Sequence, residues 1–347
     1  MRAGSLIELI MIILSDGHGY LVPEPMHAIP KVSLIQSPTP LHRLERVSAD
    51  LGIELWIKRD DLTGFAMGGN KGRKLEYLLA QAIFEGAQAV VTCGSLQSNF
   101  IRHLAAACAV HGLQCAAAVM DTPYEHTLPF LEGLKPENGN LALNSWLGVD
   151  IHKYPDGTWD ELFQYKEDVA GQYERDGTKV FRIPVGGSSP LGAYAFFLAG
   201  KELSDQAETS FDTVITASSS GSTQVGLTYH FSGSDTQVLG IAADPEPELA
   251  SDFAELGVGL AALIGVPALP VEAFNLNFDG VGPGYGIPSE EGNDAIRYLA
   301  QKEGIFLDPI YSGKAFGVLL KLAREGGLTG RTCFWHTGGT PALFAMA

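Results

Sequence analysis

Gly68-Gly69-Asn70-Lys71-Gly72-Arg73-Lys74-Leu75-Glu76 sets a lysine in a glycine-rich turn where a helix begins. Downstream, Leu75, Leu78, Leu79 and Ala82 fall at i, i+3, i+4 and i+7, one face of a helix that runs to Gly86. A helix N-terminus carries free backbone N–H groups and a partial positive charge. A lysine there loses some of its preference for the charged form, and the same N–H groups can hold an anion beside it. An amine held partly neutral beside an anion site suits the capture of a phosphorylated aldehyde as a Schiff base. Taken alone, the same residues also fit a solvated lysine in an ordinary turn.

From about residue 71 onward, helices and strands alternate. Strands are expected at Ala89–Cys93, Gln114–Met120, Val149–Lys153, Lys179–Ile183, Thr213–Ala217, Gln237–Ala242 and Thr332–Trp335. Helices are expected from Ser98 to about Val110, over Trp159–Arg175 and Leu191–Ser204, and at 221–231, 247–264, 289–303 and 313–325. Repeated βα units imply α/β architecture with mostly parallel sheets, and their number suggests two lobes. Ligands of such sheets bind beyond the carboxyl ends of strands, so the turns after strands carry the search.

Four of those turns, besides the lysine turn, combine glycine with hydroxyls and open helices. In Gly94-Ser95-Leu96-Gln97-Ser98-Asn99, Ser98 fits a helix cap as well as a ligand. In Ser218-Ser219-Ser220-Gly221-Ser222-Thr223-Gln224, hydroxyls and N–H groups converge as a phosphate cradle. No Gly-Lys-Ser/Thr ends that turn, so it is not a Walker loop. His336-Thr337-Gly338-Gly339-Thr340-Pro341 is similar, with proline at a first helical position. Pro184-Val185-Gly186-Gly187-Ser188-Ser189 also opens a helix, and capping explains its serines. Tyr285, in Gly-Pro-Gly-Tyr-Gly, and Tyr311, in Asp-Pro-Ile-Tyr-Ser-Gly-Lys, are large side chains in glycine- and proline-flanked loops. Packing or an acid–base role would account for them equally.

Composition narrows the classes. The chain has 347 residues, 46% hydrophobic and 18% charged, enough to bury one or two large cores. A net charge of −17 argues against nucleic acid or an anionic membrane as partner. Its four cysteines form no CxxC pair or disulfide framework, which fits a reducing cytoplasm. The nine histidines form no paired-ligand motif, so no metal site is expected. The apolar run Leu6–Leu14 is broken by Glu8 and is too short to span a bilayer. Residues 1–29 read as an N-terminal extension, with translation expected to begin at Met26.

In order along the chain stand KRDDLTGFAMGGNKGRKLE, QSN before a helix, VGGSS, SGSTQVG, GPGYGIP, LDPIYSGKA and HTGGTPALF. Together, from about Pro30 to the C-terminus, they resemble the pyridoxal-phosphate enzymes of the 1-aminocyclopropane-1-carboxylate deaminase and D-cysteine desulfhydrase group. The resemblance implies the tryptophan-synthase-like fold (fold type II), each lobe with a mostly parallel open sheet. The large lobe would span 30–79 and 183–347, and the small inserted lobe 80–182. Pyridoxal 5′-phosphate would be the cofactor, a small amino acid the substrate and a homodimer the working unit.

By position, the resemblance makes Lys71 the Schiff-base lysine and places Asn99 on the pyridoxal phenolic oxygen. Ser98 would face the substrate carboxylate. Lys74, Ser220, Gly221, Ser222, Thr223 and Gln224 would hold the phosphate, Tyr285 and Tyr311 would stand on the substrate side, and Ser312 would meet the pyridine nitrogen. The deaminases carry glutamate at that last position, which makes the ring a strong electron sink. A neutral Ser312 fits β-elimination, where the leaving group takes the charge, and Thr337 points the same way. The GSTQ turn looks more deaminase-like, but it only holds phosphate. Phe100 replaces the family's glutamine or histidine and cannot hydrogen-bond a carboxylate, which bears on specificity rather than on the cofactor. The expectation is β-elimination from D-cysteine to pyruvate, ammonia and sulfide. The alternatives are a sulfo-lyase acting on L-cysteate, opening of the cyclopropane amino acid, and a protein that binds the cofactor without turnover.

Overall fold

The computed structural model describes residues 29–120, 137–155 and 157–345. The Leu6–Leu14 run, the Met26 start and the loose segment around Pro123 and Pro129 lie outside the described residues. Strands β1 (Leu41–Arg43) and β2 (Glu54–Arg59) flank helix α1 (Glu45–Leu51). Then come α2 (Lys71–Phe84), β3 (Ala89–Ser95), α3 (Asn99–His111), β4 (Gln114–Met120), α4 (Asn140–Trp146), β5 (Asp150–Lys153), α5 (Trp159–Arg175) and β6 (Val180–Arg182). The chain continues through α6 (Pro190–Gln206), β7 (Thr213–Ser218), α7 (Ser222–Phe231), β8 (Gln237–Ala242), α8 (Leu249–Ile264), β9 (Asn275–Asn277), α9 (Glu290–Glu303), α10 (Ser312–Arg324) and β10 (Arg331–His336). The expected final helix is a 3-10 segment, Thr340–Ala345.

Two sheets result, and the α/β expectation holds. One has the order β1-β2-β10-β7-β8-β9, the other β5-β4-β3-β6. Every pairing is parallel except β1 with β2. Central strands buried on both faces read as continuous apolar runs, as Val90, Val91, Ala116, Ala117, Ala118 and Val119 do, all 0% exposed. Helix α2 buries the stripe seen in the sequence, Leu75, Leu78, Leu79 and Ala82. It packs against both α6 and α3, and the lobe boundary expected between residues 79 and 80 falls within it. The sequence reading missed β1, β2, β9 and the seven-residue α1 and α4; all but the six-residue β2 are too short to show a period, and in β2 the charged Glu54, Lys58 and Arg59 mask the apolar run.

The strand order sets the site. β2 leads to the lysine turn, β3 to Ser98 and Asn99, β7 to Ser219–Gly221, β8 to Asp244 and β10 to Thr337. Each of these residues follows the carboxyl end of its strand, as the rule for open α/β sheets requires.

Candidate active site

The lysine turn is built on unusual backbone. Ala66, Met67, Gly68 and Gly69 all have positive φ, at 48°, 64°, 77° and 127°. A Cβ on Gly68 would stand 1.8 Å from the Asp61 carbonyl oxygen, so only glycine fits there. The turn is tied down on both sides. Gly69 N–H donates to the Asp60 carbonyl at 2.8 Å, and Asn70 N–H to the Thr337 carbonyl at 2.9 Å. Such conformations persist where the surroundings over-determine them, and here they fix Lys71 as the first residue of α2.

Lys71 lines a cavity of about 380 Å³. Loss of water pulls its amine from the ordinary 10.5 to about 8; the Asp308 carboxylate resists this and the Arg102 guanidinium adds to it. Lys74 lines the same cavity. Burial and the neighbouring Lys71 push its amine well below the usual lysine range. Its Nζ donates to the Gly186 carbonyl at 3.1 Å and lies 5.8 Å from the Phe196 ring centre. Among the described residues, neither lysine has a carboxylate partner within 4.0 Å.

Opposite them, Ser218, Ser219, Ser220, Gly221 and Thr223 line the cavity where β7 gives way to α7. Gly221 has φ 95°, and Phe253 packs so closely that a Cβ would meet its ring at 2.5 Å. Ser188 Oγ donates to Ser220 Oγ at 2.8 Å and lies 3.2 Å from Ser222 Oγ. Asn70 Nδ2 donates to Thr223 Oγ1 at 3.1 Å, joining the lysine turn to this cradle. Two expected phosphate ligands have their side chains engaged elsewhere. Ser222 is fully buried against Ser188. Gln224 accepts from Ser218 Oγ and donates to the Asn275 carbonyl, both at 2.7 Å, bracing β7 and β9. What these two can offer an anion is backbone N–H in the first turn of α7.

At the start of α3, Ser98 caps the helix by accepting from Ile101 N–H at 3.3 Å, and it also lines the cavity. Asn99 Oδ1 accepts from Arg102 Nη1 at 3.0 Å and Asn140 Nδ2 at 2.9 Å. With its oxygen held, the amide NH2 is the end left for the cavity. Phe100 packs in the core beneath, so close to Gly187 that a Cβ there would lie 2.6 Å from its ring.

The two tyrosines meet. Tyr285 and Tyr311 hydroxyls are 2.7 Å apart and both residues line the cavity. Burial raises both phenol pKa values, so both stay protonated, and Tyr285 also hydrogen-bonds the Ser95 side chain. The Trp159 ring sits 5.7 Å from that of Tyr285. Ser312 is placed differently from the expectation and is not among the cavity-lining residues. It is fully buried, with its Oγ donating to Asp308 Oδ1 at 2.6 Å and accepting from Asp308 N–H at 2.8 Å.

Asn70, Asp160, Trp159, Phe163, Asp244, Glu246 and Asp252 also belong to the cavity or its rim and escaped the sequence reading. Asp244 follows the end of β8, the same position rule as the other turns, but no glycine or hydroxyl marks that turn. Trp159 and Phe163 reach the cavity only through the packing of α5.

These residues suit a phosphorylated aldehyde. The amine is partly neutral near pH 8, the cradle offers hydroxyls and a helix N-terminus, and the buried lysines lack a counter-anion. No group of three or more histidine, cysteine or acidic residues among the described residues could hold a metal. Among the described residues, no helix is long and apolar enough to cross a membrane.

Comparison with known proteins agrees. The family model for pyridoxal-phosphate dependent enzymes matches residues 32–338. The chain is 37% identical over 331 residues to the D-cysteine desulfhydrase of Serratia proteamaculans, covering 91% of this chain and 96% of that one. It is 36% identical over 319 residues to a Pyrococcus horikoshii protein provisionally assigned as a 1-aminocyclopropane-1-carboxylate deaminase, covering 91% and 93%. A crystal structure described as an ACC deaminase homologue superposes with a TM-score of 0.84 at 35% identity, covering 92% of this chain and 94% of that one.

Proposed function

This chain belongs to the family of pyridoxal-phosphate dependent enzymes, in the group of the 1-aminocyclopropane-1-carboxylate deaminases and D-cysteine desulfhydrases, and from that premise we propose a β-eliminating lyase. D-cysteine is the favoured substrate, giving pyruvate, ammonia and sulfide. The observation that carries this reading is one cavity shared by Lys71, the phosphate cradle and the hydrogen-bonded Tyr285–Tyr311 pair.

When bound, the cofactor supplies an electron-withdrawing ring that stabilises negative charge at the substrate Cα. Ser220, Gly221, Thr223, Lys74 and the N–H groups of the α7 start hold its phosphate. The Asn99 NH2 addresses its phenolic oxygen. Lys71 would be the residue that holds the cofactor's aldehyde, and its Nζ would serve as base for the Cα proton. Ser98 and the N–H groups at the start of α3 hold the substrate carboxylate. One hydroxyl of the tyrosine pair hands a proton to the departing sulfur, and the other steadies it. Asp160, Asp244, Glu246 and Asp252 around the cavity disfavour a second anionic group on the substrate. That ranks L-cysteate behind D-cysteine. The working unit is a homodimer with the small lobe at 80–182.

One observation favours a second reading, opening of a cyclopropane amino acid to 2-oxobutanoate. Ser312 does not line the cavity, but it gives its proton to Asp308, so toward a ring nitrogen it would offer a lone pair rather than a proton, which would favour the protonated ring and a stronger electron sink. A panel of D-cysteine, L-cysteine, L-cysteate and the cyclopropane amino acid, assayed for sulfide, sulfite, pyruvate and 2-oxobutanoate, separates the two. Sulfide and pyruvate from D-cysteine are expected. Rapid 2-oxobutanoate without sulfide would overturn the first reading in favour of the second.

A further inference from the structure

Helix α3 buries a guanidinium that takes no part in the chemistry above. Arg102 is 1% exposed and does not line the cavity. Its Nη1 donates to Asn99 Oδ1 at 3.0 Å and to Asn140 Oδ1, and its Nη2 donates to the Gly68 carbonyl at 3.0 Å. Gly68 lies in the turn that carries Lys71, so Arg102 clasps the lysine turn to the asparagine turn. Among the described residues no carboxylate pairs with this side chain, and its Nε has no hydrogen-bond partner. A buried cation without a counter-ion is costly, and a purely structural clasp could be made by neutral groups.

Arg102 also fixes the orientation of two amides. A guanidinium can only donate. The oxygens of both Asn99 and Asn140 must therefore face it, while Asn140 Nδ2 turns to the Gln97 carbonyl at 2.8 Å and to Asn99 Oδ1 at 2.9 Å. The Asn99 NH2 is left toward the cavity. Around Lys71, the carboxylates Asp160, Asp244, Glu246 and Asp252 border the same cavity. Lys74 shares its helix, and His103, behind Arg102 on α3, is kept neutral by burial and by the guanidinium. Tyr285 and Tyr311 remain protonated across the cavity. Asp308 alone opposes Arg102 at the amine.

We propose that Arg102 is a positioning residue for the cofactor, an uncompensated charge that orients Asn99 and keeps the Lys71 amine available as a nucleophile. This rests on the reading that Lys71 captures the cofactor aldehyde. The charge is left uncompensated because the cofactor's phenolic oxygen, reached through Asn99, supplies the missing negative partner.

The test frees the full-length protein of cofactor, mixes it with pyridoxal phosphate across a pH series, and follows the rate at which visible absorbance develops. The wild-type rate is expected to rise with a midpoint at about 8. Arg102→Gln, which drops the charge, moves the midpoint up by about one pH unit. Arg102→Lys, which keeps the charge but loses the planar fork, leaves the midpoint in place and weakens equilibrium cofactor binding about tenfold. An unmoved midpoint in Arg102→Gln overturns the proposal, as does wild-type affinity or a raised midpoint in Arg102→Lys. Either variant decides alone if the other does not fold. If the wild-type protein develops no absorbance, the cofactor reading itself fails, which the wild-type control distinguishes from failure of the role given to Arg102.

Discussion

Helix α2 buries cations on two sides and treats them oppositely. On one side, Arg73 forks onto Asp60 at 2.8 and 2.9 Å and onto Glu202 at 2.9 Å, and Glu202 also takes Lys58. Trp335 Nε1 completes Asp60 at 2.9 Å. On the other side, Lys71 and Lys74 face a cavity with one carbonyl bond between them. A saturated network has nothing left to offer a ligand; its members fix the helix start and the strands β2 and β10. An unsaturated pair keeps room for an anion that the chain does not itself provide. Arginine and lysine divide these roles as their chemistry suggests, because a lysine can escape its burial by becoming neutral and a guanidinium hardly can.

The sharpest way to break the comparison is Lys71→Ala. Turnover should fall by at least about a thousandfold and the visible absorbance should vanish, while the urea midpoint stays close to wild type. A coloured, active variant would remove Lys71 from the site. Next in size, Arg73→Met leaves Asp60 without a cationic partner and Glu202 with Lys58 alone, and should cost about 3–5 kcal/mol of stability, read from urea unfolding. A stability unchanged by that substitution would mean the network holds nothing. The smallest effect is expected for Lys74→Gln, which should weaken cofactor binding by about tenfold to a hundredfold with stability unchanged or raised. Equal destabilisation by Lys74→Gln and Arg73→Met would erase the contrast between the two sides.

Sequence alone made the lysine turn, the hydroxyl-rich cradle and the longer strands legible, because glycine turns after apolar runs are local signals. It could not separate Arg73 from Lys74, which differ only in what the distant Glu202 and Gly186 bring to them. The protein partners of Ser312 and Gln224 were hidden for the same reason. Each stands in a motif that points at a ligand, yet Asp308 in one case and Ser218 with Asn275 in the other engage the side chain first. Asp308 is four residues from Ser312 and was visible in the sequence. That its carboxylate gathers the N–H groups of Ile310, Tyr311 and Ser312 is a matter of backbone path, which no residue pattern announces.

The bond from Asn70 to Thr223 gives the cavity a ruler. The residue beside the reactive amine touches the first turn of the helix that would take the phosphate, so the distance between these two attachment points is set within the protein rather than by its guest. A cofactor analogue with one more methylene between ring and phosphate would have to stretch that gauge at both ends. The enzyme would then judge its cofactor by length before any chemistry began.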